Sequence, residues 1–286
     1  MQHPRCVPEF QRQRFSAAAA YYWGVLPPAE FVSVQRRGQR AWLRRDVAEV
    51  DLATFWGPLE ALVDAKGRGG VGGLRIGELE LVVRPYRRGG AIGSLLKDRY
   101  VRPSRVRDEL AILAHLRREG VPVVVPVAGV ARRHGAFWQL RLLTERLEGA
   151  LPAPAFLAAY PVLRRHCAEA IGVLVRLAFA AGLDHPDFHL DNVLCVARGD
   201  RVRAVLVDLD RAAVKRPLPA ARTDAMLARM QRHLVRHRSK LATVPSRTET
   251  MRFLRALGLE RAARREAWDR LAAAVRRQLR RRDLLR

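Results

Sequence analysis

His185-Pro186-Asp187-Phe188-His189-Leu190-Asp191-Asn192, followed by Val205-Leu206-Val207-Asp208-Leu209-Asp210, is the part of this chain whose reading decides its fold. The first segment has the form H-x-D-x-H-x-x-N. It lies between an apolar helical stripe (Cys167, Ile171, Leu174, Val175, Ala178, ending at Gly182) and a short strand expected over 192–196. The second segment is an apolar strand that runs into acids. Transfer of a phosphoryl group from ATP needs few parts, each chemically definite. A carboxylate accepts or orients the acceptor hydroxyl, oxygen ligands hold Mg²⁺ against the phosphates, and cations or backbone N–H groups offset the charge being moved. Asp187 fits the carboxylate. Asn192, five residues on, and Asp208, at the next strand end, fit the metal ligands, because amide and carboxylate oxygens suit a hard cation. An Asp–Asn pair five apart is common in loops, and so is a strand ending in Asp; the weight lies in their ordered combination. His185 is expected to brace the loop through hydrogen bonds.

Working outward, the first third of the chain is strand-like. Phe31–Val34 alternates, and Ala41–Leu43 and Leu79–Val83 are apolar. Between them Lys66–Gly73 holds five glycines, of which Gly67, Gly69 and Gly70 (with Gly72) would let backbone amides approach nucleotide phosphates; a flexible turn explains the same composition. Val106–Glu119 has helical spacing and ends at Gly120 and Pro122, Val121–Val130 reads as a strand interrupted by prolines, and Phe137–Leu143 is a further strand running into Thr144-Glu145-Arg146-Leu147. From Pro152 the chain turns helical, with a strand over 202–207 after the turn Arg198-Gly199-Asp200 and a basic helical remainder from Thr223. The expected fold is α+β and bilobal, with a β-rich N-lobe over 1–147 and a mainly helical C-lobe over 148–286. Arg84 leaves the strand 79–83, and Glu109 lies on the following helix, where it is either the partner of Arg84 or a surface residue. Glu145, in the connector, joins the nucleotide-side candidates.

The catalytic-loop segment and Asp208 resemble the protein-kinase-like superfamily, in which a catalytic loop H-R-D-x-x-x-x-N is followed by D-F-G. His189 and Asp208-Leu209-Asp210 depart from that pattern toward the small-molecule kinases. In protein kinases a strand lysine contacts the phosphates and pairs with a helix glutamate; here Arg84 and Glu109 stand in those places. Leu81-Val82-Val83-Arg84-Pro85-Tyr86-Arg87-Arg88-Gly89-Gly90, Asp98-Arg99-Tyr100, Leu143–Gly149 and Val207–Arg211 look like more specific marks. With His185–Asn192 they resemble the lipopolysaccharide kinases of Gram-negative bacteria, the 3-deoxy-D-manno-octulosonic acid (Kdo) kinases in particular, over roughly Gly67 to Arg216. Arg in place of the strand lysine is a familiar variant there, while the Phe usual between the two acids is Leu209 here. The resemblance implies ATP-dependent phosphorylation of a Kdo hydroxyl in a lipid A–core precursor, at the cytoplasmic face of the inner membrane. A core heptose is the alternative acceptor.

Charge fits an anionic acceptor. Among 286 residues, 53 Lys+Arg face 28 Asp+Glu, a formal net charge of +25, and only Lys66, Lys97, Lys215 and Lys240 are lysines, so 49 are arginines. Such an excess favours polyanions: nucleic acid, an anionic bilayer or a phosphorylated substrate. No nucleic-acid motif appears and no specific nucleic acid is expected; an aminoglycoside-type kinase, which takes cationic acceptors, matches this charge badly. Arg87-Arg88-Gly89-Gly90 is either an acceptor- or phosphate-side surface or a solvated loop. Over Arg261–Arg286 ten Arg oppose Glu266, Asp269 and Asp283, with Trp268, Leu271, Val275 and Leu279 on one helical face. That face either lies on a membrane or packs on the C-lobe. Three scattered cysteines (Cys6, Cys167, Cys195) support neither disulfides nor a zinc site. With no apolar stretch long enough to span a bilayer, the expected location is cytoplasmic and peripheral to the membrane.

Overall fold

Antiparallel pairing builds the N-terminal half. The computed structural model describes residues 30–62, 70–87, 99–236 and 245–283. Strands β1 (Phe31–Arg36), β2 (Gln39–Arg44), β3 (Glu60–Ala61), β4 (Gly72–Ile76), β5 (Leu79–Pro85), β6 (Pro126–His134) and β7 (Phe137–Glu145) form one sheet in the order β1-β2-β6-β7-β5-β4-β3. Every neighbouring pair is antiparallel. Successive side chains point to opposite faces of a strand, so Leu142 joins the core under helix α1 (Ser104–Arg118) while Leu143 joins a second core with Phe55, Leu52 and Val83. Helix α1 buries Val106, Leu110, Leu113 and Leu116, and its buried positions include one acid, Glu109.

The strand expected over 121–130 is shorter than its composition suggests. It begins at Pro126, and residues 122–124 instead stitch the sheet to the C-terminal half: Leu206 N–H donates to the Pro122 carbonyl at 2.9 Å and Val124 N–H to the Leu206 carbonyl at 3.2 Å. Pro122 and Pro126 have no N–H to give a ladder, which breaks the strand between them. Gly72 has a structural reason of its own. It pairs with Val83 and Ala61, and a Cβ there would lie 2.6 Å from the Leu59 Cβ.

The C-terminal half contains β8 (Leu151–Pro152), α2 (Ala153–Ala159), α3 (Arg164–Ala180), β9 (Leu183–Asp184), β10 (Val193–Arg198), β11 (Arg201–Leu206), β12 (Ala213–Val214), α4 (Ala220–Arg236), α5 (Arg247–Ala256) and α6 (Arg261–Asp283). β11, β10 and β8 make a small sheet, and β9 pairs with β12. The stripe on α3 is buried as its spacing predicts, and α3 meets α5 closely at Gly172, where a Cβ would sit 2.5 Å from the Phe253 carbonyl oxygen. The strand expected from 192 starts at Val193, and Asn192 instead closes a single 3-10 turn, Leu190–Asn192. On α6, which packs against α4, Ala267 and Leu271 are buried, so the first part of its apolar face is taken up by protein; the side chains of Val275 and Leu279 lie outside the described set. The thiols of Cys167 and Cys195 are free and face each other at 3.6 Å.

Helix α5 starts with a capping box. Glu249 N–H donates to Ser246 Oγ at 3.2 Å and Ser246 N–H to Glu249 Oε2 at 2.6 Å. The same carboxylate takes Arg164 Nε at 2.7 Å and Nη2 at 3.0 Å, joining α5 to α3. These bonds, the one from Arg164 first, lower the Glu249 pKa from 4.5 to about 2. A carboxylate with a depressed folded pKa stabilises the fold above its unfolded pKa and loses that contribution as pH falls through the folded value. Glu249→Gln is therefore expected to lose roughly 1–3 kcal/mol at pH 7. The deficit should shrink as pH drops below 4.5 toward 2. Urea unfolding at pH 7 and near pH 3 checks this; an equal deficit at both would contradict it.

Candidate active site

Two segments, 84–86 and 208–209, converge on the buried carboxylate of Glu109, which is 2% exposed. Arg84 Nη2 donates to both of its oxygens at 2.5 Å, Leu209 N–H donates to Oε1 at 3.0 Å, and the Tyr86 hydroxyl donates to Oε2. Arg84 Nη1 reaches Asp208 Oδ1 at 2.9 Å, and its guanidinium lies 4.7 Å above the Tyr86 ring. Burial lifts the Glu109 carboxyl above its ordinary value against the pull of Arg84. For Arg84, burial works against the charge, but Glu109, Tyr86, Asp208 and Asp210 outweigh it and hold the guanidinium protonated. Next to this cluster Arg105 Nε donates to Asp210 Oδ1 at 2.7 Å and stacks 5.0 Å over Tyr100.

Asp208 has φ +56°, a left-handed conformation that Asp tolerates better than most residues. It turns the chain so that Leu209 N–H meets Glu109, and it presents the Asp208 carbonyl to His185 Nε2 at 2.9 Å. His185 Nδ1 accepts Asp187 N–H at 3.2 Å. The ring, 1% exposed, thus takes the tautomer with its proton on Nε2, and burial keeps its pKa below the ordinary value. Asn192 Nδ2 donates to the Asp187 carbonyl at 3.0 Å, which leaves the amide oxygen for other uses, and Val207 N–H returns to the Asn192 carbonyl at 2.9 Å. Asp187, Asn192 and Asp208 are joined in this way through one imidazole and a few backbone bonds. The Asp187 carboxylate itself is 66% exposed, with Arg229 Nη1 at 3.8 Å.

Above Asp208 opens a cavity of about 260 Å³ between the large sheet and the small one. Val71, Val82 and Leu142 line it from the large sheet, Leu194 and Val207 from the small one, and the connector Glu145–Leu147 forms its rim. Arg84 and Asp208 face it at one end. The Glu145 carboxylate is bound by Arg44 Nη1 at 2.5 Å, while its N–H donates to the Val125 carbonyl. Of the glycine candidates, Gly67 and Gly69 lie outside the described residues. Gly70, at φ +67°, sits under Arg87, whose Nη2 would be 2.7 Å from a Cβ at that position. In the Arg87-Arg88-Gly89-Gly90 run, only Arg87 falls inside the described set.

A model of the lipopolysaccharide kinase (Kdo/WaaP) family matches residues 53–257. The chain belongs to this family. The match extends the resemblance read from the motifs on both sides. A 3-deoxy-D-manno-octulosonic acid kinase of Xylella fastidiosa is 32% identical over 190 residues, covering 65% of this chain and 74% of the relative. One of Xanthomonas oryzae pv. oryzae is 33% identical over 206 residues, covering 70% and 79%. The solved structure described as WaaP in complex with acyl carrier protein shares the fold, with a TM-score of 0.55 and 20% identity over 79% of this chain and 89% of that one. The bilobal, protein-kinase-like α+β architecture is that of the family.

Motif reading in sequence missed several members of the site. Tyr86 lies two residues beyond Arg84, on the same side of an extended chain, and that spacing was the available signal. Arg105 and Asp210 are 105 residues apart and no local pattern links them. The Arg84–Glu109 pair gives a measurable coupling. Removing either partner alone leaves a buried charge unmatched, at about 3–5 kcal/mol. Arg84→Ala and Glu109→Ala together should cost less than their sum by roughly 1–3 kcal/mol in urea unfolding. Strict additivity would mean that the contact contributes nothing.

Proposed function

We propose that this chain transfers the γ-phosphoryl group of ATP to a hydroxyl of Kdo in a lipid A–core precursor. The observation that carries this reading is the exposed carboxylate of Asp187, a residue whose main chain is held by His185 and Asn192 within one hydrogen-bonded unit that also includes Asp208 at the end of an apolar cleft. The cleft suits a flat ring, with Val71 and Val82 on one side and Leu194 and Val207 on the other. In this reading the N-lobe runs over 1–147 and the C-lobe over 148–286. Arg84, locked in its charged form, stands where the phosphates would lie. The residues at this end fit a hard cation: the Asp208 carboxylate, whose Oδ1 meets only Arg84 Nη1 at 2.9 Å among the described residues, and Asn192, whose amide oxygen is available. Asn192 and Asp208 would hold Mg²⁺, which when bound neutralises phosphate charge. Asp187 would take the proton of the acceptor hydroxyl as its oxygen attacks the γ-phosphorus. Arg229, 3.8 Å from Asp187, gives an anionic sugar a cation at the point of attack. Kdo is the preferred acceptor because the curated relatives at 32–33% identity are named Kdo kinases.

The basic α6, with Arg261, Arg265, Arg270, Arg276 and Arg277 exposed, supports attachment to an anionic bilayer on the cytoplasmic side, each arginine near such a surface contributing on the order of 1 kcal/mol. Among the described residues no helix is long and apolar enough to cross a membrane.

Incubation with ATP, Mg²⁺ and a Kdo–lipid A precursor is expected to add the mass of one phosphate, localised to the Kdo. Asp187→Asn should lower kcat about 10²–10⁴-fold while thermal unfolding stays at the wild-type temperature. Full activity in that variant would remove Asp187 from the reaction, and transfer to a heptose-bearing core but not to Kdo would reassign the acceptor. In a separate measurement, the protein should sediment with vesicles containing acidic phospholipid and be released as salt rises. Equal binding to neutral vesicles would oppose the electrostatic attachment.

A further inference from the structure

Beside Asp187 lies a cluster that phosphoryl transfer leaves unused. His189 and Asp191 belong to the catalytic loop, and His233 comes from the last turn of α4. The imidazoles of His189 and His233 stack with centroids 4.6 Å apart and planes 10° from parallel, and His233 Nε2 lies 3.1 Å from Asp191 Oδ2. Each of the three residues offers a ligand atom, and these atoms lie within 4.8 Å of one another. His189 Nε2 is 3.3 Å from Asp187 Oδ2, whereas His189 Nδ1 is buried with no hydrogen-bond partner among the described residues. A buried ring nitrogen left in that state is costly unless something satisfies it.

We propose that His189, Asp191 and His233 form a binding site for Zn²⁺ or a similar borderline first-row cation. Two imidazoles and one carboxylate are the donor set of such ions, with a remaining position for water, whereas Mg²⁺ takes oxygen ligands. The site is therefore chemically distinct from Asn192 and Asp208. Bonds of about 2.0–2.1 Å place tetrahedral ligand atoms roughly 3.4 Å apart. Closing the observed cluster to that spacing requires one of the two stacked imidazoles to turn about its side-chain torsions, so that both ring lone pairs meet at the ion. With Nδ1 of His189 on the ion, Nε2–H donates to Asp187, a carboxylate–histidine–metal arrangement that fixes both ring and carboxylate. The Arg229 guanidinium near Asp187 is opposed by two carboxylates, Asp187 and Asp191. An ion here would tie the catalytic loop to α4 and hold Asp187 in place.

The full chain, stripped of metal and kept in excess Mg²⁺, is titrated with ZnCl₂ against a chromophoric chelator. One Zn²⁺ per chain is expected, with a rise in unfolding temperature. His233→Gln and Asp191→Asn should each weaken binding at least roughly tenfold and abolish that rise. His166→Gln, at an exposed histidine on α3, should leave both unchanged. Equal binding by all four proteins would assign the metal to surface histidines and overturn the site, as would no binding at all. If the cluster variants fail to fold, Co²⁺ in the wild-type protein decides. Intense visible bands of a low-coordinate nitrogen–oxygen site support the proposal, and a weak octahedral spectrum overturns it. All these readouts are of binding, so they stand or fall apart from phosphate transfer to Kdo.

Discussion

One buried carboxylate holds the working parts of this molecule in register. Glu109 lies on a helix whose other buried side chains are apolar, and its oxygens are covered by a guanidinium, a phenol and a backbone N–H from elsewhere in the chain. A charge in such a place is tolerable only when its partners arrive together. Arg84 and Tyr86 come from β5 and the residues just after it, and Leu209 comes from the segment after β11. Proper burial of Glu109 therefore requires the large sheet, α1 and the Asp208 turn to be seated at once. The energetic demand of one acid becomes a positional constraint on the cleft.

This arrangement explains why arginine serves at position 84. Its guanidinium bonds Glu109 through one nitrogen, meets Asp208 through another and lies over the Tyr86 ring. A lysine ammonium is a point donor and cannot fill three directional roles from one plane. Arg105 repeats the pattern nearby, paired to Asp210 while stacked on Tyr100. Part of the arginine content is thus structural, matched to buried or half-buried acids, as Arg164 is to Glu249 and Arg222 to Asp184. The exposed remainder, dense on α6, is what gives the surface its character.

Much of this was legible in the sequence where chemistry depends on short spacing. The catalytic-loop segment, the acid at the end of β11 and the strand-then-helix order of Arg84 and Glu109 all sit inside local patterns. What could not be read depends on partners distant in the chain. The run 121–130 has strand composition, yet its first half is claimed by Leu206 across the cleft. Gly72 reads as part of a flexible glycine run, but its missing side chain makes room for Leu59 on a neighbouring segment. Glu109 could not be told from a surface acid until the helix was laid on the sheet. His233, more than forty residues beyond the catalytic loop, gave no local sign that it would stack on His189.

The imidazole of His185 also has a polarity. It receives a proton bond from the amide preceding the Asp187 side chain and passes one on to the carbonyl of Asp208, so it works as a one-way splint between two stretches of main chain. Few side chains can accept at one edge and donate at the opposite edge of a rigid ring of that width. A histidine next to an exposed carboxylate invites an acid–base role, but here both ring nitrogens are bonded to main chain and the ring is buried. Its identity is set by the span it bridges.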